Sequence, residues 1–471
     1  LAAGAGALVY GFSPGMMAQT LGHPHVSVLF LPPLILLTVD EIVRLQRFPP
    51  LVLGALLGVM GAAQMLIGEE MLAVTALIVA IALAVAAAMA PSLIRPNLRY
   101  AVRAIVASGI AFVVLAGGPL AFQFFGPQRL HGLVHGPNEF VSDLFSFFVP
   151  TQMSQLAPKA AVHFTEHFTG NVSEWNSYIG IPMALLLAFI AWRFWDRFLV
   201  RLTTFVGVVI AILSLGVTIH YHGHVSTMPV FVLALAFPLI ARLVPRGTMP
   251  GLTLLYATFL AWLAMYKAPI FDDVLPARLM MIGYLFIGLL LAVFLEWVFT
   301  LRARGRVVAG LAAAGLAMIP MIPVIPYWST PAPIPAFFTS TALQRIPLNS
   351  VALVLPYSNA EESRPMLWQA ASNMRFKMPE GYVYITTGIE PPPSTTQTTA
   401  VAIVNGQAST ETVDASQQDG LRADLKAWKV QTVIIGPMAF EQQAVDIYTA
   451  VLGRPPEQVG GVYVWYGVNG G

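Results

Sequence analysis

The stretch LMMIGYLFIGLLLAVFLEWVFTLRARGR, residues 279–306, decides the fold. Its first part is apolar over a length that can cross the hydrocarbon core of a bilayer, about 30 Å thick, and three arginines follow at once. About eleven such stretches are found before residue 326, the first of them partial, at 1–12, 26–43, 51–67, 72–90, 102–124, 179–195, 202–219, 225–240, 253–266, 279–299 and 307–325. The sequence therefore predicts a polytopic α-helical membrane protein.

The connections between these stretches alternate in charge, which predicts an orientation. One set carries Arg44, Arg47, Arg95, Arg99, Arg103, Arg193, Arg197, Arg201, Arg242, Arg246, Arg302, Arg304 and Arg306. The other set has only Arg129, Lys159, Lys267 and Arg278 as cations. Short loops rich in Lys and Arg stay in the cytoplasm, so the residues after Ile325 are expected outside the membrane.

Composition excludes several classes of protein. The chain is 57% hydrophobic and only 10% charged, whereas soluble domains carry about 25% charged residues. It has no basic patch interleaved with exposed aromatic residues, so we expect no nucleic-acid partner. Cysteine is absent, which excludes disulfides, thiolate metal sites and cysteine nucleophiles.

Three regions are predicted along the chain: a transmembrane domain at 1–325, a Pro-rich linker at 326–347, and an extracytoplasmic α/β domain at 348–471. In the last region, SVALVLPY, VQTVIIGP and VGGVYVWYGV are strand-like, and RPMLWQAASNM and AFEQQAVDIYTAVLG are helix-like. Residues 391–419, rich in Thr, Ser, Gln and Pro, are expected to form a mobile excursion.

Residues 11–25 are expected to be an exterior loop. Because Leu1 is not Met and the first apolar run is too short to span, we expect residues upstream of it to be missing.

The few exterior carboxylates are candidates for catalysis and substrate binding. Glu69 and Glu70 lie at the outer end of a predicted helix, where one could act as a general base, although the helix dipole also favours acids there. In FDDVLPAR, Asp272 and Asp273 precede Arg278, whose guanidinium could grip a phosphate in bidentate fashion. The alternative is that Arg278 is an interface anchor with a local ion pair.

Histidines offer a possible metal site. All nine fall on the predicted exterior; His131 and His135, and His163 and His167, are four residues apart, and HYHGH at 220–224 forms a further cluster. That spacing suits a metal. Neither pair has a Glu directly after its first histidine, as the HExxH motif of hydrolytic zincins does, so no residue is assigned as a metal ligand. His23 is placed at the rim of the substrate site.

The long loop at 125–178 contains LFSFFVP, which is expected to lie flat on the membrane, with Glu139 and Asp143 facing water.

Small residues spaced through 1–11 are expected to serve helix packing.

Several sequence segments resemble those of bacterial multi-pass glycosyltransferases of the GT-C type. In chain order they are GFSPGMMAQTLGHPHVSVLFLPPLILLTVDEIVR, GAAQMLIGEEMLAVTAL, FVSDLFSFFVPTQ, WNSYIGIPMALLL, VLPAR and ALVLPYSN, followed by MLWQAASNMRFKMPEGY. The resemblance implies an enzyme of the bacterial cytoplasmic membrane that passes a sugar from a polyprenyl-phosphate lipid to an extracytoplasmic acceptor. It also implies membrane lipids as partners and leaves open a divalent metal cofactor.

One departure from the family keeps two alternatives open. Such enzymes carry a catalytic Asp or Glu in the loop after the first membrane helix, and this chain begins beyond that point. The expected acid is therefore not visible, and the chain could instead be a non-catalytic structural subunit of a larger membrane assembly with protein partners. A transporter would show inverted repeats and charges at mid-membrane, and the sequence has neither.

Overall fold

The computed structural model describes residues 1–94, 98–127, 129, 132–136, 138–238, 251–268, 271–359, 362–383 and 393–468. Arg95, His131, Arg242 and Arg246 lie outside the described residues. The chain divides into two compact units: one is formed by Leu1–Phe125 and Leu133–Tyr327, and the other by Gly126–Gly132 and Trp328–Gly471.

The first unit is predominantly helical. Its α-helices are α1 Ala2–Phe12, α2 Pro14–Gln19, α3 Pro24–Ser27, α4 Leu31–Asp40, α5 Pro50–Ile67, α6 Glu69–Met89, α7 Pro91–Ile94, α8 Leu98–Phe125, α9 Lys159–Thr165, α10 Ile181–Arg193, α11 Phe198–Ser214, α12 Gly251–Lys267, α13 Leu279–Thr300 and α14 Arg304–Met318. A π-helix, Glu41–Leu45, extends α4. Two strands, β1 Thr218–Tyr221 and β2 His224–Pro229, form a hairpin.

Five helical segments of the described residues are long and apolar enough to cross a membrane: Pro24–Leu45, Pro50–Ile67, Glu69–Met89, Leu98–Phe125 and Pro276–Thr300. The protein is thus a membrane protein with several apolar helices, and the eleven predicted spans are not confirmed. Two of the remaining apolar helices, Ile181–Arg193 and Phe198–Ser214, are shorter.

The predicted span at 225–240 is wrong in its first part, because those residues begin as strand β2. The reason is the turn between the strands. His222 and Gly223 have φ of 49° and 77°, and Tyr221 pairs with His224 across them. Positive φ at both central residues is the geometry of a two-residue hairpin turn, which glycine adopts freely and histidine more often than most residues. Residues 239 and 240 lie outside the described residues.

The predicted exterior loop at 11–25 is also corrected, because it contains helix α2. Ser13 precedes the helix and its hydroxyl accepts a hydrogen bond from the backbone N–H of Met16 at 3.3 Å, while Pro14 occupies the first turn. This is a typical helix start. The helix is largely buried, so its Gly and Pro residues serve packing rather than a turn.

Helices α1 and α13 cross with their backbones in close contact. A Cβ atom placed on Gly6 would collide with the backbone carbonyl of Gly288, and one on Gly288 would collide with that of Gly6. Gly54 and Gly58 of α5 approach the backbone of α8 in the same way. Inside a bilayer the hydrophobic effect does not drive helices together, so their association depends on close packing. The small residues allow that packing, as the spacing in 1–11 predicts.

Asp143 does not face water as predicted. Its side chain is buried, and its two oxygens accept hydrogen bonds from the backbone N–H groups of Phe145 and Gly223, both at 2.9 Å. These bonds offset the cost of removing the carboxylate from water. Glu139, in contrast, is exposed.

The second unit is an α/β fold around a four-stranded sheet. Its elements are β3 Val351–Leu355, α15 Arg364–Ala371, α16 Thr395–Val404, α17 Ala415–Ala427, β4 Val430–Ile435, α18 Glu441–Leu452, β5 Glu457–Val459 and β6 Val462–Tyr466. The strand order is β3-β4-β6-β5, with β3 parallel to β4 and the other pairs antiparallel. Trp368 is fully buried, and its indole N–H donates to the Pro333 carbonyl at 2.9 Å.

Two segments of this unit differ from the loops expected there. Within 391–419, residues 393–419 are described and include helix α16 and the start of α17, which Asp414 and Gln417 begin with a capping box. That reciprocal pair of hydrogen bonds starts a helix even in a polar sequence. In the Pro-rich stretch, 3-10 helices cover Ala336–Thr339 and Thr341–Arg345, and Phe337 and Phe338 are fully buried.

Candidate functional site

Arg278 is the centre of a buried charged cluster in the first unit. It ends a short 3-10 turn, Pro276–Arg278, immediately before α13, and only 6% of the residue is exposed. Its Nε and Nη2 donate to one oxygen of Glu174 at 3.0 and 2.9 Å, and its Nη1 donates to Glu70. A buried guanidinium is tolerated only when it is paired in this way.

Glu174 is the member of the cluster that the sequence analysis missed. Its second oxygen accepts a hydrogen bond from the amide of Gln19 at 2.8 Å, so both oxygens are engaged. Gln19 also donates to the Ser173 carbonyl at 3.0 Å, which ties α2 to this loop. The useful signal was indirect: a buried arginine requires a counter-charge, and the loop TGNVSEWNSY supplies an acid.

Glu70 is the most accessible member of the cluster. Its side chain is 20% exposed, compared with 7% for Arg278 and 1% for Glu174. One of its oxygens accepts from the backbone N–H of Leu275 at 2.9 Å, which fixes its position at the start of α6. Glu69 is exposed and is not part of the cluster, because consecutive residues of a helix point in different directions.

Charge does not balance within the cluster. Two carboxyl groups face one guanidinium, so pairing leaves one negative charge uncompensated when both carboxyl groups are ionised. His23 is near enough to interact electrostatically with both Arg278 and Glu174. Burial, followed by the positive charge of Arg278, holds the pKa of His23 below its usual value, so this imidazole is neutral at neutral pH.

Asp272 and Asp273 are not brought into the cluster. Asp273 is exposed and accepts a hydrogen bond from the backbone N–H of Val134 at 3.0 Å. Arg278 therefore makes no local ion pair with these two acids, which was the alternative on sequence, and pairs with Glu70 and Glu174 instead. The turn at Pro276–Arg278 accounts for this, because it separates Arg278 from the residues just before it and directs the chain into α13.

The space beside the cluster is small. A cavity of about 10 Å³ is lined by Gly15, Gln19, Ser173, Glu174, Asn176, Ala277, Met280, Met281 and Tyr284. That volume holds about one water molecule. The side-chain oxygen of Gln19, Oε1, is buried here and has no hydrogen-bond partner among the described residues. A substrate must therefore reach the cluster from the side of Glu70, or the cluster must open.

No metal centre is preassembled in the part of the chain that the structure describes, where no three His, Asp or Glu side chains are arranged to hold an ion as they stand. The divalent metal implied by the resemblance stays a prediction.

Sequence comparisons give no match, either with protein-family models or with curated proteins. Among solved structures, the chain is similar to the cryo-EM structure of the arabinofuranosyltransferase AftD from mycobacteria, with a TM-score of 0.43 and 14% identity. The match covers 98% of this chain and 31% of that one, so the chain spans about a third of the length of AftD.

Proposed function

We propose that the chain is a membrane glycosyltransferase of the bacterial cytoplasmic membrane. It moves a sugar from a polyprenyl-phosphate donor to an acceptor on the extracytoplasmic side, and the α/β unit lies on that side. The observation that carries the proposal is the cluster in which Glu70 and Glu174 share one guanidinium, that of Arg278. The sequence segments that resemble glycosyltransferases of the GT-C type support the proposal.

The two carboxyl groups take different roles in this proposal. Glu174 is buried and fully hydrogen-bonded, so it holds the guanidinium plane in place. Glu70 is the more accessible, and it is the general base. Glu69 was an equal candidate on sequence; because it is exposed and outside the cluster, Glu70 is preferred.

The reaction follows from the charges. The donor phosphate competes with Glu70 for Arg278 and frees the carboxylate of Glu70. The acceptor oxygen then bonds to the anomeric carbon, its proton passes to Glu70, and the bond between that carbon and the phosphate oxygen breaks, with its electron pair leaving on the phosphate. Protonation of Glu70 offsets the negative charge of the phosphate beside Arg278. His23, which is neutral, offers hydrogen bonds to sugar hydroxyls at the rim, and Asp272 and Asp273 stay predicted substrate contacts.

A second function is favoured by a separate observation. The cavity beside the cluster holds about one water molecule, and Arg278 is already paired with two carboxylates. A non-catalytic subunit would use the same cluster to tie three segments of the chain together. The two functions differ in whether the cluster can exchange a carboxylate for a phosphate.

Lipid binding distinguishes the two functions. The purified protein in lipid nanodiscs is titrated with undecaprenyl phosphate and, as the matched lipid without phosphate, undecaprenol. The enzyme proposal predicts that the phosphate form binds roughly tenfold or more tightly. Glu70→Gln removes the competing charge and should tighten phosphate binding further, whereas Glu69→Gln should not change it. Equal binding of both lipids, unaltered by Glu70→Gln, would favour the structural subunit.

A further inference from the structure

A second cavity opens on the surface of the second unit. Its volume is about 310 Å³, within the range of about 300–1,000 Å³ that is typical of small-molecule sites. One side is formed by the two consecutive 3-10 helices, Ala336–Thr339 and Thr341–Arg345, and the other by the chain that follows α15. We call this cavity the Arg375 pocket; its lining includes Thr339, Leu343, Gln344, Leu348, Asn373 and Arg375.

The guanidinium of Arg375 is held in place by backbone carbonyl groups. Its Nε donates to the Ile346 carbonyl at 2.8 Å, and its Nη2 donates to the Gln344 carbonyl at 2.9 Å. Its Nη1 makes no hydrogen bond within the part of the chain that the structure describes, and it is open to solvent. The guanidinium is therefore oriented before any ligand arrives, which lowers the entropy that binding costs.

Arg375 lacks an acidic partner in the described part of the second unit. Three other arginines of this unit, Arg345, Arg364 and Arg422, each form an ion pair with a carboxylate. Arg375 forms no such pair with any described residue. Guanidinium groups bind carboxylates and phosphates through charge-assisted hydrogen bonds, so the free positive charge in this pocket favours an anion.

Two free amide groups line the same pocket. Gln344 and Asn373 are exposed, and their side chains make no hydrogen bond to other described residues. Each amide offers two N–H donors and an acceptor oxygen, which complements hydroxyl groups that both donate and accept. Leu343 and Leu348 add an apolar side. The lining therefore suits a ligand that carries hydroxyl groups as well as a negative charge.

The position of Asn373 is fixed by the turn that ends α15. Its φ is 53°, and its backbone N–H donates to the Ala370 carbonyl at 3.0 Å. Asparagine adopts this left-handed conformation more readily than most residues, which accounts for its presence here. The turn leaves the Asn373 side chain exposed at the pocket.

We propose that the Arg375 pocket binds a small hydroxylated organic anion of the acidic-sugar class. The carboxylate or phosphate of the ligand accepts a hydrogen bond from Nη1 of Arg375, and its hydroxyl groups bond to the amides of Gln344 and Asn373. An inorganic anion uses Arg375 alone and binds more weakly. The pocket belongs to the second unit, and the proposal does not rest on the transferase chemistry.

Ligand binding by the full chain in phosphatidylcholine nanodiscs tests the pocket. Saturation-transfer difference NMR, which detects weak binding to large particles, is recorded with glucuronate, glucose 6-phosphate and glucose. We expect at least one acidic sugar to bind roughly tenfold or more tightly than glucose, which lacks the charge-assisted hydrogen bond. The two acidic sugars separate a carboxylate preference from a phosphate preference. Inorganic phosphate, added as a competitor, should displace the acidic sugar only when it is in excess.

Two substitutions at exposed positions test the lining residues. Gln344→Glu introduces a carboxylate that competes for Arg375, and it should weaken acidic-sugar binding by roughly tenfold or more. Asn373→Gly keeps the positive φ and removes the amide, so binding should weaken by roughly threefold or more. Gln431→Glu makes the same chemical change at an exposed position of β4 outside the pocket, and it should bind as the parent does.

Thermal unfolding checks that each variant is folded. The proposal is overturned if neither acidic sugar binds the parent protein more tightly than glucose. It is also overturned if folded Gln344→Glu and Asn373→Gly keep the parent affinity, or if Gln431→Glu loses as much affinity as Gln344→Glu. Displacement of the acidic sugar by an equal concentration of inorganic phosphate would contradict the role of the hydroxyl groups and would overturn the proposal as well.

Discussion

Glu174 accepts two hydrogen bonds from Arg278 through a single oxygen, from Nε at 3.0 Å and from Nη2 at 2.9 Å. The residues are 104 positions apart in the chain, and Gln19 holds the other oxygen of Glu174. The guanidinium is therefore oriented by a residue that is itself immobilised. Only its third contact, with Glu70, reaches an accessible side chain.

Loss of the guanidinium should destabilise the protein strongly. Arg278→Ala leaves the Glu174 carboxylate buried without its cation, which typically costs about 3–5 kcal/mol. The double variant Arg278→Met with Glu174→Gln should recover part of that loss, because it removes the buried charge as well. Thermal unfolding in detergent measures both. Arg44→Ala is the control: its pair with Asp40 is exposed, so it should cost no more than about 1 kcal/mol.

The crossing of α1 and α13 should depend on Gly6. Gly6→Ala places a methyl group against the Gly288 carbonyl, so the helices must separate, and we expect a loss of about 1–3 kcal/mol. Gly4→Ala, in the same helix, meets nothing within 4 Å and should leave stability unchanged or slightly higher. Equal melting temperatures for the two variants would contradict the close crossing.

Glu380 should make the α/β unit sensitive to alkaline pH. Burial raises its pKa from 4.5 to about 8, although it accepts a hydrogen bond from the Val354 N–H at 2.9 Å. The folded state therefore holds a proton that the unfolded state releases. The stability from this group is full below about pH 4.5 and falls as the pH rises through 8, by up to about 3–5 kcal/mol.

Hydrogen exchange of residues 351–355 in the full chain measures this effect, after correction for the intrinsic pH dependence of exchange. Protection should fall between pH 6 and pH 9 in the parent protein. It should stay constant in Glu380→Gln, which cannot ionise, and Glu411→Gln, an exposed acid, should behave as the parent does. An identical loss of protection in Glu380→Gln would rule out this carboxyl as the cause.

Local patterns predicted much of the secondary structure. The apolar run at 51–67 is helix Pro50–Ile67, and SVALVLPY contains strand β3, because hydrophobic length and β-branched composition act over neighbouring residues. The errors came from specific turn and cap chemistry. The pair His222-Gly223 makes a hairpin, and Asp414 with Gln417 starts a helix in a stretch that its composition marked as loop.

The pairing within the site was harder to predict. The predicted membrane topology puts Glu70 and Arg278 on the same side of the membrane, which stays a prediction, and the structure brings the two side chains into contact. Their link through Glu174 depends on how α2, the loop before residue 178 and the start of α13 pack together. No periodicity or spacing along the chain encodes that contact, since its members are separated by more than 100 residues.

Sugar transfer itself tests the central proposal most directly. The protein, together with any residues encoded upstream of Leu1, is incubated in nanodiscs with a panel of undecaprenyl-phosphate pentoses and hexoses, and release of undecaprenyl phosphate is followed by mass spectrometry. The account predicts transfer from at least one donor, a loss of roughly 10²–10⁴-fold in Glu70→Gln, and near-parent activity in Glu69→Gln. Parent-level transfer by a folded Glu70→Gln protein would contradict it, as would no release from any donor by a parent protein that binds undecaprenyl phosphate.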